Sequence, residues 1–150
     1  MSLEIKEVNT KKELKQFIKF PFDLYKGNPY YVTPLIEFEM STLRKDKNPA
    51  FDHAEAQYWV VEKDGKTVGR IAAIILEPEF KEKSLARFGW IDFVDDQEVS
   101  QLLFTTAKKW AETKGAKAIH GPMGFTDLDF EGALISGFDQ TATQATIYNH

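Results

Sequence analysis

The spacing of apolar residues changes several times along the chain, and each change marks an element. Residues 3–8 alternate apolar and polar side chains, the pattern of a half-buried strand. Thr10 precedes Leu14, Phe17 and Ile18 at helical spacing, and Glu13 is placed to complete a capping box. Pro21 is expected to end or kink this helix near Phe20, because proline lacks the N–H that would continue it. Residues 20–35 then form an aromatic-rich connector punctuated by Pro21, Pro29 and Pro34. A second amphipathic helix is expected from Leu35 to about Leu43.

Residues 56–76 hold the clearest local signal. Two β runs flank Asp64-Gly65, a pair that favours the type I′ hairpin turn. The second run is apolar on both faces after Arg70 and is expected to lie in the middle of a sheet. The charged segment 77–84 reads as a loop, and residues 86–94 read as another strand. From Gln97 to Lys114, the residues Val99, Leu103, Ala107 and Ala111 share one face of a helix. Asp95 and Glu98 form its expected capping box, and Gly115 is its expected left-handed stop. A short strand over 116–121, a glycine-bearing segment, and strand character over 141–150 complete the chain. The order β-α-α-β-β-β-α-β predicts a mixed α/β sheet in one domain covering residues 1–150.

Composition narrows the function. A formal charge of −4 supplies no field that would draw in nucleic acid. The lack of cysteine removes disulfides, thiolate metal sites and thiol nucleophiles, and fits a reducing, cytoplasmic setting. The longest aliphatic run, Ile71 to Leu76, is far short of the roughly 20 residues that span a bilayer, so no membrane partner is expected. His53, His120 and His150 lack metal-ligand spacing, and no metal is expected. Asp127, Asp129 and Glu131 alternate with Leu128 and Phe130, which in an extended segment puts the carboxylates on one face. That face reads either as a solvated edge or as an acidic lip for an amine, where one carboxylate orients the ammonium group and another accepts its proton.

The segment from Asp64 through Ile119 resembles the central hairpin, fourth strand, cofactor-side helix and fifth strand of the acetyl-CoA-dependent N-acetyltransferase (GNAT) superfamily. Residues 20–35, 48–60, 68–74 and 121–132 also resemble a bacterial GNAT-like group whose members are usually longer, so the chain reads as the N-terminal part of a longer protein. The resemblance implies a mostly antiparallel sheet flanked by helices, acetyl-CoA as cofactor, and an amine as acyl acceptor. It places backbone donors for the thioester around Phe93 and Val94 and a cofactor contact at Gln97. It also puts Tyr25, Tyr30 and Tyr31 beside the acceptor groove, where Tyr31 reads either as loop packing or as a proton donor to the departing thiolate; Asp127 and Asp129 are the candidate carboxylates of the acidic lip.

One departure matters. The superfamily's glycine-rich pyrophosphate loop is replaced by Val94-Asp95-Asp96-Gln97-Glu98, whose carboxylates stand where the anion would sit. Two functions are therefore weighed: acyl transfer from acyl-CoA to an amine, and a non-catalytic binding or interaction module. The terminal segment 141–150 is a candidate strand edge for a homodimer.

Overall fold

A computed structural model describes residues 2–142 and 148–150. The expected hairpin joins β2 (Ala54–Lys63) to β3 (Lys66–Leu76), and Asp64 and Gly65 take the positive φ values, 52° and 74°, that its turn requires. With β1 (Leu3–Glu7), β4 (Leu85–Phe93) and β5 (Ala118–His120), these strands lie in chain order across one sheet. Every neighbouring pair is antiparallel except β4 with β5.

The central strand β3 shows how the two cores divide. Ala72 and Ile74 face a cluster with Phe17, Ile18 and Leu43, while Ile71 and Ala73 face Val99, Leu103 and Ala107. Period-two alternation on a strand buried on both sides accounts for the split. The first cluster is covered by α1 (Lys11–Leu24) and α2 (Ile36–Leu43), the second by α4 (Gln97–Thr113). Burying Phe17 and Ile18 stabilises the fold by about 1.5–3 kcal/mol each.

Three local expectations are corrected. Helix α1 does not stop at Phe20 but runs through Pro21 to Leu24. The N–H that proline lacks would have served the carbonyl of Phe17, and that oxygen instead accepts from Arg70 Nη1 at 3.0 Å. The charged segment after β3 is a helix, α3 (Glu77–Lys83), rather than a loop. Pro78 suits its first turn, a Glu77–Lys81 pair spans one turn, and Ser84 closes it at φ 55°. Helix α4 is capped by Asp96, not by an Asp95–Glu98 box; Asp96 Oδ1 accepts from the Glu98 N–H at 2.9 Å.

The expected terminal strand, and the homodimer edge placed on it, include residues 143–147, which lie outside the described residues. Asn149 makes a single parallel bridge with Ala133.

Candidate active site

The site begins with an extra residue in β4. Arg70 pairs with Asp92, but Ala72 pairs with Gly89, so β4 carries a bulge at Trp90 and Ile91. The bulge changes the phase of the strand. Phe88 packs on the α4 side, Trp90 on the α1 side and Ile91 again on the α4 side. It thereby turns Trp90 and Asp92 toward α1 and α2. Trp90 is fully buried and holds φ at 44°, a left-handed conformation that costs a residue with a Cβ about 1–2 kcal/mol. Outliers of this kind gather at functional sites. Beside it, Gly89 lies so close to the Met123 carbonyl that a Cβ would sit 2.2 Å from the oxygen.

The Ile91 N–H leaves the β3–β4 ladder and donates to Asn149 Oδ1 at 3.2 Å. Asn149 is buried and held by three further bonds. Its N–H and Nδ2 donate to the Gly132 carbonyl, and its own carbonyl accepts from Leu134. An amide carbonyl oxygen thus occupies a backbone donor at the bulge.

Trp90 Nε1 donates to Glu39 Oε2 at 2.8 Å. Glu39 is only 4% exposed, and burial pushes its carboxyl above the usual carboxylate range against the opposing pull of the Trp90 bond. Glu39 forms part of the wall of a cavity of about 390 Å³. Tyr31, Pro34, Phe38, Leu128 and Phe130 make the surrounding surface mainly apolar, and Asp129 is a second acid on the lining. Phe38 and Leu128, 60% and 77% exposed, carry the apolar surface out to the mouth.

A buried polar pillar stands behind this cavity. Arg70 Nε and Nη2 both reach Asp92 Oδ2 at 2.8 Å, and Tyr25 donates its hydroxyl to Asp92 Oδ1 at 2.8 Å. The Tyr25 ring packs 4.7 Å from the Tyr31 ring and 4.9 Å from that of His150. Burial raises the pKa values of Tyr25 and Tyr31, so both stay protonated at neutral pH.

The residues singled out from sequence separate into two groups. Tyr31 and Asp129 line the cavity. Asp129 Oδ2 also accepts from the Thr126 N–H at 3.0 Å, and burial raises its pKa. Asp127 is exposed and is not part of the lining. The segment is a turn rather than an extended lip, and Leu128 is exposed at the cavity mouth rather than buried. Phe93 pairs with Gly69, the Val94 N–H donates to Val68 O at 2.9 Å, and Gln97 lies exposed on the first turn of α4. Glu39, Trp90 and Ile91 were not anticipated as site residues. The available signal for Glu39 was an acid sharing a helical face with Ile36, Met40 and Leu43.

Two surfaces bear on whether acetyl-CoA, implied by the resemblance, fits this chain. At the start of α4, Asp96 takes the Glu98 N–H and is itself neutralised by Lys63 at 3.2 Å. That end of the helix does not fit a diphosphate. The Ile91 N–H holds an amide carbonyl oxygen, so a carbonyl acceptor suits that donor once Asn149 is displaced. Among the described residues, no group of three or more His, Asp or Glu side chains could hold a metal, and no helix is long and apolar enough to cross a membrane.

No protein-family model matches the chain. It is 41% identical over 131 residues to Protein YghO of Escherichia coli, covering 86% of this chain and 33% of that protein. It is 37% identical over 140 residues to bacterial ceramide synthase of Caulobacter vibrioides, covering 91% of this chain and 36% of that protein. The chain therefore spans about a third of the length of the curated relatives it matches. Among solved structures, a metagenomic aminoglycoside acetyltransferase in complex with sisomicin superposes with a TM-score of 0.58 at 20% identity, over 79% of this chain and 75% of that one. A tandem GNAT protein from the clavulanic acid biosynthesis pathway gives 0.59 at 17% identity, over 75% of this chain and 34% of that one. The chain has the GNAT fold, with the expected mostly antiparallel mixed sheet.

Proposed function

We propose that the chain is the acyl-transfer domain of a longer protein and joins the acyl group of a thioester such as acyl-CoA to an amine with an apolar tail. The observation that carries this reading is the buried acid Glu39 on the wall of an apolar cavity, its carboxyl bonded to the residue that precedes the Ile91 donor. A carboxylate with a raised pKa is suited to take a proton from an ammonium group near neutral pH. The mainly apolar lining suits an alkyl chain. The relative named bacterial ceramide synthase supports the same class, since a ceramide is the amide of a fatty acid and a long-chain amino alcohol.

The amine enters as its ammonium form and gives one proton to Glu39. Its nitrogen attacks the thioester carbonyl carbon, whose oxygen takes the place of Asn149 Oδ1 on the Ile91 N–H. The carbon–sulfur bond breaks with its electrons on sulfur. Tyr31, held protonated by burial, donates to the thiolate and recovers a proton from the new amide nitrogen. Glu39 then releases its proton to solvent.

The assay combines thioesters of increasing acyl length with primary amines of increasing chain length and reads amide by mass spectrometry. Amide is expected, with the longer amines preferred, and Glu39→Gln should lower the rate about 100-fold or more. No amide from any combination, or an unchanged rate in the variant, would overturn the reading. The second function, a non-catalytic module, is favoured by one observation: the self-capped, lysine-paired start of α4.

A further inference from the structure

Trp90 has no chemical part in that scheme, yet two features of the site depend on it. Its left-handed backbone, at φ 44°, lies immediately before the Ile91 N–H that leaves the ladder, and its indole N–H is the donor to Glu39 at 2.8 Å. If the bulge alone mattered, glycine would hold the same φ without strain. If core filling alone mattered, phenylalanine would pack against Phe125 and Phe130, the ring neighbours at 5.9 and 6.2 Å. Neither replacement supplies the bond to the carboxyl.

We propose that Trp90 is the positioning residue of the acyl-transfer site, fixing the Glu39 carboxyl and the Ile91 N–H relative to one another. One residue thereby sets the separation between the proton acceptor and the carbonyl-binding donor. The inference rests on the acyl-transfer reading for its catalytic meaning, but its structural content can be measured without turnover. Glu39 is faced by Trp90 and Asp92 from β4, Arg70 from β3, Asp129 from the turn after β5, and Tyr31 from the connector before α2. Arg70 and the Trp90 bond draw its pKa down, whereas burial and the two aspartates push it up. Removing the indole donor therefore raises the pKa further.

The test follows the Glu39 side-chain carboxyl by carbon-13 NMR titration in the wild type and in Trp90→Phe, with Glu39→Gln assigning the resonance. The Glu39 midpoint should move to higher pH in the variant. The acidic limb of the pH–rate profile should move with it, and kcat should fall about tenfold with little change in KM for the amine. A folded Trp90→Phe protein with an unmoved Glu39 midpoint would overturn the inference. Should phenylalanine unfold the chain, benzothienylalanine at position 90 keeps the ring shape and removes only the N–H. The same shift is then expected, and its absence is equally fatal. Full activity in Glu39→Gln would instead sink the acyl-transfer reading, whatever the Trp90 variants do.

Discussion

Glu39 stands at a helix position that packing alone would give to an apolar side chain. It shares the inward face of α2 with Leu43, while Phe38, one residue earlier, is turned outward. The exchange makes stability and proposed activity oppose one another. The carboxyl is harder to ionise in the fold than in the unfolded chain, where glutamate titrates near ~4.3. Between that value and the raised folded one, the native state binds more protons, and stability falls as pH rises. Glu39→Gln should therefore melt at a higher temperature than the wild type at neutral pH, with the difference closing below about pH 4. Scanning calorimetry across pH reads this directly. Asp92, by contrast, is tied to Arg70 and Tyr25 in the core. Asp92→Asn leaves Arg70 without its counter-charge in the core and should cost about 3–5 kcal/mol in chemical denaturation. Both acids were visible in the sequence as charges inside apolar runs, but a run does not say which charge meets a partner and which lines a cavity.

At the scale of elements, Pro21 is the instructive case. Local rules read it as a helix end or kink, and they were right about the missing hydrogen bond. What they could not contain was Arg70, far along the chain, whose guanidinium takes the freed Phe17 carbonyl. Pro21→Ala should therefore recover much less than the roughly 3 kcal/mol that removing an interior helix proline usually yields. A gain of that full size would show that Arg70 does not compensate. The start of α4 offers a second test. Its bonds to the Glu98 N–H and to Lys63 hold Asp96 below the usual aspartate range. This stabilisation is present above the unfolded pKa and is lost as pH falls through the depressed folded value. Asp96→Ala should lower the melting temperature at neutral pH, and the gap should narrow in acid. The α3 helix was missed because charge density masked a proline-started turn.

Across the whole molecule, the sheet was legible and the site was not. The hairpin, the central position of β3 and the long helix α4 each follow from residues adjacent in sequence. The site draws on the end of α1, on α2, the β4 bulge, the turn at 124–130 and Asn149, which meet only in the folded chain. The bulge leaves only a faint sequence mark, Gly89 inside a strand run, which does not say that Trp90 turns to the other face. For a single acyl-CoA ligand, the proposed thioester carbonyl lies at the bulge, and its diphosphate does not lie at α4.

Nitrogen-15 NMR of the chain titrated with acetyl-CoA addresses both claims together. The account predicts saturable shifts at the Ile91 amide and the Asn149 side-chain amide, with the amides of Glu98 and Val99 unmoved. Shifts at Glu98 and Val99 without Ile91, or no shift at either place at millimolar ligand, would contradict it.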